Sequence, residues 1–172
     1  IAIQSLKSKV EKKLNRMIDN NPLRIDFYER YQEIIDAYNR GKDYKSIKEI
    51  FDELIVLLAD LSEENKRAAK ENLEEDELFV FDMLCSNKKI SDKEKSDIKD
   101  AAKKLLERLK NNEFRVNQWD EKIQTSSSVK SKIQDILFLE LPESYTNEDI
   151  SLKTEKLFNE FKLRYAEFDL VA

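Results

Sequence analysis

Apolar residues recur at three- and four-residue steps along almost the whole chain, the period of an amphipathic α-helix. Ile3, Leu6, Val10, Leu14 and Met17 predict a first helix with one buried stripe. Asn20-Asn21-Pro22 ends it, and Asn21 as N-cap with Pro22 at the first helical position opens the next. That second helix presents Phe27, Tyr31, Ile34, Ile35 and Tyr38, and Gly41 stands where a C′ glycine closes a helix. A third helix is predicted to open near Asp43 and to bury Ile47, Ile50, Phe51, Leu54, Ile55, Leu58 and Leu61. From Ser62 to Leu73 only Ala68, Ala69 and Leu73 are apolar contacts, so a break or exposed turn is expected there.

The acidic run Glu74 to Glu77 suits the positive end of a short helix carrying Leu78, Phe79, Phe81 and Leu84. Ser86 to Lys89 reads as a loop. Ser91 and Glu94 then form a capping-box pair, so a helix starts near Asp92 and buries Ile98, Ala101, Ala102, Leu105, Leu106 and Leu109 before Asn111-Asn112. Phe114 and Val116 alternate with Arg115 and Asn117, the pattern of a short extended connector. Trp119 is expected to open the next helical stretch. Thr125 to Ser128 is poor helix material, but Val129, Ile133, Ile136 and Leu137 resume the period until Leu141-Pro142. Thr146 to Asp149 caps a last helix with Ile150, Leu157, Phe158, Phe161 and Tyr165 on one face. The fold expected is all-α, an irregular bundle of about seven to eight amphipathic helices with short loops and at most a token extended pair near Phe114. It reads as a single domain over residues 1–172, and the connector from Asn111 to Asn117 is the best place to divide it, into 1–112 and 113–172.

Composition narrows the function. The chain is 40% hydrophobic and 39% charged, which fits long helices with solvated outer faces. It contains one glycine (Gly41), no histidine and one cysteine (Cys85). Proton-transfer and metal sites lean on His and Cys, and loops that bring backbone against a ligand lean on Gly. A docking or scaffold domain is therefore expected, with no catalytic, metal-binding or cofactor-binding residues. A single cysteine cannot form an internal disulfide, so a cytoplasmic setting is the default. The longest apolar run, Leu54 to Ala59, falls far short of the roughly 20 residues of a membrane span. A start at Ile1 rather than Met reads as a piece of a longer polypeptide.

Local motifs add little chemistry. Asn39-Arg40-Gly41-Lys42 lacks the phosphate loop's other signature residues, because Asp36 and Asp43 occupy those positions. Acid–acid–lysine sets such as Glu75, Glu77 and Lys88 are expected by chance in a chain with 36 acids and 31 bases. The most basic stretch runs from Lys88 to Lys110 but is interleaved with Asp92, Glu94, Asp97, Asp100 and Glu107, the pattern of an ion-paired, solvated face. The alternative is a DNA-contacting stripe led by Lys99, Lys103 and Lys104, against which the net charge of −5 weighs. Cys85 reads as a small buried hydrophobe. Trp119 reads first as an anchor between the Ile98–Leu109 helix and the helix bearing Val129 and Ile133, and second as a partner hot spot.

Several stretches together resemble the extreme C-terminal region of the R subunit of type I restriction–modification enzymes. Asn21 to Tyr31, through Ile34-Ile35 and Tyr38-Asn39, is similar to that family's N-P-x-R-x-x-F segment and the I-I-x-x-Y-N that follows. Leu73 to Leu78 with Phe81-Asp82-x-Leu84 is similar to its acidic pre-helix segment, and Val116-Asn117-Gln118-Trp119 to its V-x-x-W element, with Gln118 where the family usually has Asp. Val129, Ile133, Leu137, Leu141-Pro142 and Tyr145, then Lys153, Leu157-Phe158 and Tyr165, follow its closing pattern. The resemblance singles out Trp119, Pro22, Arg24, Phe27, Tyr38, Asn39, Pro142 and Tyr145 as candidate structural or interface anchors. It implies a parent chain with a nuclease domain and two translocase lobes that use ATP and Mg²⁺. It also implies a helical region that packs on those motor lobes, attaches to the methyltransferase and specificity subunits, and meets DNA through the whole complex.

Overall fold

The computed structural model describes residues 2–167. They fall into two compact units, Ile1–Asp76 and Glu77–Ala172. The connector from Asn111 to Asn117 lies inside the second unit.

In the first unit, α1 (Ala2–Asn20) buries the predicted stripe Ile3, Leu6, Val10, Leu14 and Met17. Asn21 caps a single 3-10 turn, Pro22–Arg24, by accepting from the Leu23 N–H at 3.1 Å. Helix α2 (Ile25–Arg40) buries Tyr31, Ile34 and Ala37, with Phe27, Ile35 and Tyr38 packed at the core's edge. Gly41 ends it at φ 97°, in the left-handed region that glycine adopts without strain. Helix α3 (Ile47–Asn65) begins later than the Asp43 expected, because Ser46 and Glu49 form a capping box. Its buried stripe is Ile50, Leu54, Leu57 and Leu61, whereas Ile47 and Ile55 are exposed. Ile55 lies about 100° round the helix from Leu54 and so faces away from that stripe. Ile47 is the first helical residue and leans toward a turn that does not exist. The expected break follows at Lys66, then a short α4 (Arg67–Lys70) and Asn72 at φ 57°.

Helix α5 (Glu75–Cys85) starts at the end of the first unit and runs into the second. Leu78, Phe79, Val80, Phe81, Met83 and Leu84 are all buried, so this helix has no solvated face of ordinary width. Cys85, at its last position, is half-buried rather than buried. Helix α6 (Asp92–Asn111) carries the predicted Ser91–Glu94 capping box and buries the six residues expected of it. No strand forms among the described residues. Instead of an extended connector, Glu113–Arg115 is a 3-10 turn that buries Phe114 and leaves Val116 exposed. Trp119 sits in the turn that follows, ahead of α7 (Ile123–Glu140).

Thr125 and Ser126 are helical despite their propensity. Their hydroxyls donate back to the carbonyls of Trp119 (2.5 Å) and Ile123 (3.2 Å). Leu141, ahead of Pro142, ends α7 in an extended conformation, and a Thr146–Asp149 capping box opens α8 (Asn147–Tyr165). Helix α7 packs on both α6 and α8. The ion pair between Lys130 and Glu155 shows that α7 and α8 run antiparallel.

Candidate functional site

Each unit builds one buried centre around a cation. In the first unit, the turn between α1 and α2 carries Arg24 into the interior, with its side chain 3% exposed. Its Nε donates to Glu64 at 2.9 Å, Nη2 to Glu75 at 3.1 Å and Nη1 to the Met17 carbonyl at 3.2 Å. Burial works against ionised Glu64, but Arg67 and Arg24 outweigh it and hold the carboxyl below its ordinary range. The planar guanidinium thus ties the end of α1, the end of α3 and the first residue of α5 together, as only a forked donor can. Nearby, burial and a hydrogen bond to Glu11 push the Tyr31 phenol up.

In the second unit, Lys153 lies on the apolar stripe of α8 and is buried. Its ammonium donates to the carbonyls of Met83 (2.8 Å) and Ser86 (2.6 Å) at the C-terminal end of α5, and the Tyr145 hydroxyl donates to Leu84 O at 2.7 Å. A cation there complements the negative end of the helix dipole. Burial, then the neighbouring Lys156, pulls the Lys153 pKa down, and burial pushes the Tyr145 phenol up. At the rim Lys88 stands 4.5 Å above the Tyr145 ring and donates to Asp149 at 2.7 Å. The Lys88 hydrogen bond, with that of the Thr146 N–H, holds Asp149 at about 2. Ser144 and Ser91 likewise lower Glu94.

Trp119 is fully buried, with partners other than those expected. It stacks on Phe114 (centroids 5.5 Å apart), lies 6.0 Å from Phe158, and donates from Nε1 to the Tyr165 carbonyl at 2.9 Å. It therefore fastens the connector to the last turns of α8. Of the other candidates, Arg24 and Tyr145 are central to the two buried centres, Phe27 and Tyr38 edge the first core, Pro142 is half-buried, and Pro22 and Asn39 are exposed.

The basic stretch is largely engaged within the chain. Lys104 pairs with Glu140 at 2.9 Å, Lys95 with Asp92 and Arg108 with Glu113 at 3.9 Å. Lys99 stands 6.0 Å over the Phe81 ring, Lys110 stands 5.7 Å over that of Tyr165, and Lys103 is half-buried. These contacts are those of an ion-paired helix face. Lys153, Glu64 and Glu75 were not singled out from sequence. Lys153 had a signal, since its spacing from Ile150 and Leu157 puts an ammonium on the apolar stripe.

Among the described residues, no group of His, Cys, Asp and Glu is placed to hold a metal ion. No helix there is long and apolar enough to cross a membrane. No curated protein and no solved structure matches the chain. A family model does, described as type I restriction enzyme HindI endonuclease subunit-like, C-terminal, and it covers residues 1–166. With that match spanning nearly its whole length, the chain belongs to the family formed by the C-terminal region of type I restriction endonuclease subunits.

Proposed function

We propose that this region is a docking and assembly domain that performs no chemistry of its own. It packs on the motor lobes of its parent chain and attaches the endonuclease subunit to the methyltransferase core. ATP and Mg²⁺ belong, on this reading, to parts of the subunit outside residues 1–172. One observation carries it: the contrast between what the second unit buries and what it shows. Its buried polar groups, Lys153 and the Tyr145 hydroxyl, are tied to main-chain carbonyls. Its surface meanwhile offers Ile123, Phe138, Leu139, Leu152 and Leu163, each more than half exposed. Buried groups so tied stiffen a fold, and exposed apolar side chains in number favour contact with another protein.

The test uses the full endonuclease subunit with and without this region. Deletion is expected to abolish co-purification with the methyltransferase subunits. The purified region alone is expected to show neither ATPase nor nuclease activity. Retained assembly after deletion, or Mg²⁺-dependent cleavage by the region itself, refutes the reading.

A further inference from the structure

Helix α7 differs from the rest of the chain in what it turns to solvent. Charged residues make up 39% of the sequence. Yet along the exposed positions of α7 run Gln124, Ser127, Ser128, Ser131 and Gln134, with Asp135 the one charge. The two ends of that face are apolar: Ile123 is 84% exposed at one, Phe138 64% and Leu139 76% at the other. Depletion of charge with an aromatic and aliphatic anchor is the composition of an interface core rather than of ordinary surface.

Phe138 and Leu139 border a cleft of about 920 Å³ between α6, α7 and α8. Lys104, Arg108 and Lys132 line it, opposed by Asp135 and Glu140. Lys104 and Glu140 neutralise each other at 2.9 Å. Arg108 meets Glu113 only at 3.9 Å, so Arg108 and Lys132 against Asp135 leave the cleft positive in a chain of net charge −5. This local reversal selects an acidic visitor.

We propose that this cleft and the adjoining face of α7 receive an amphipathic helix of a partner protein. Its apolar residues sit on Phe138 and Leu139, and its carboxylates face Arg108 and Lys132. The inference rests on the docking function proposed above and assigns it to a surface. Two other occupants fit less well. Two-fold pairing of copies would set each cationic cleft against its own like, since the same patch meets itself. A nucleic acid needs a run of cations, whereas this face is mostly uncharged and carries Asp135 and Glu140.

The experiment compares the full endonuclease subunit with two variants, Phe138→Ala/Leu139→Ala and Arg108→Glu/Lys132→Glu, binding the methyltransferase complex across a salt series. All four side chains line the cleft rather than the buried core, so melting temperatures should stay within a degree or two of the parent. The apolar pair should weaken binding at least tenfold at every salt concentration. The charge pair should weaken it most at low salt and flatten the salt dependence. Parent-like binding by both variants overturns the surface assignment, and if deletion of the whole region still abolishes assembly, the docking function itself survives. Binding that persists after deletion removes both. Loss of self-association in sedimentation, or of DNA affinity, with methyltransferase binding intact would give the face to a second copy or to nucleic acid and equally overturn the proposal.

Discussion

The two units bury a cation in different ways. Arg24 spreads its charge over a fork and meets two carboxylates and a carbonyl, so its interior charge is compensated by opposite charge. Lys153 meets only carbonyls, and the compensation comes from the dipole of α5. The first arrangement joins three segments far apart in sequence. The second closes one helix end. A partner's removal should therefore be felt across the whole first unit but only around the α5–α8 contact in the second.

Arg24→Met should show the larger effect. Removing one member of a buried ion pair ordinarily costs about 3–5 kcal/mol, because the partner is left charged and unpaired. Glu64 keeps Arg67, and Glu75 is 39% exposed and can turn to water, so the lower end, about 3 kcal/mol, is expected. Chemical denaturation measures the loss, and hydrogen exchange should place it in residues 2–76. Equal loosening of α7 and α8 would contradict the separation of the two centres.

Lys153→Met keeps the stem's volume and removes the donor, leaving Met83 O and Ser86 O without it. About 1–2 kcal/mol is expected for lost bonds to buried acceptors, partly offset because no charge then needs burying. The pH dependence separates the two contributions. Lys153 has a folded pKa below its ordinary 10.5, so the unfolded chain holds this proton more tightly and the parent's stability rises with pH as that window is approached. The gap between parent and variant should widen between pH 7 and 10. A narrowing gap would mean that burial does not govern this ammonium.

How far these centres were legible in sequence follows from whether their geometry is local. The stripes of α1 and α6 and the caps at Ser91 and Thr146 are set within one or two turns, and periodicity and the capping signature find them. The cap at Ser46 carries the same Ser-x-x-Glu signature, and attention to it would have placed the start of α3 correctly. Non-local partners have no such signature. Glu64 and Glu75 are 40 and 51 residues from Arg24, and nothing in 31 bases and 36 acids marks which ones meet. Trp119 was legible as a buried anchor by its size. Its seat on Phe114 and the end of α8 was not, because the aperiodic segment from Asn112 to Lys122 folds as turns held by contacts about 45 residues away. The division at Asp76–Glu77 is hidden for a related reason: a helix, not a Gly- or Pro-rich linker, crosses it.

The smallest effect expected is at the rim of the second centre, where Asp149 both caps α8 and pairs with Lys88. Its carboxyl titrates at about 2 in the folded chain against an ordinary 3.8, with the Lys88 hydrogen bond the chief cause. A lowered folded value means that the unfolded state takes up the proton first as pH falls. The stabilisation is therefore complete above about 3.8 and is lost as pH drops from there to about 2. Solvent reaches this carboxylate, so screening keeps the contribution small. Asp149→Asn retains an oxygen for the Thr146 cap but gives up the charge facing Lys88. At pH 6 it should be slightly less stable than the parent, and near pH 2 the difference should vanish. Urea denaturation at the two pH values, run in low salt, measures this directly. A difference that persists undiminished at pH 2 would mean that the cap, not the Lys88 pair, is what Asp149 supplies.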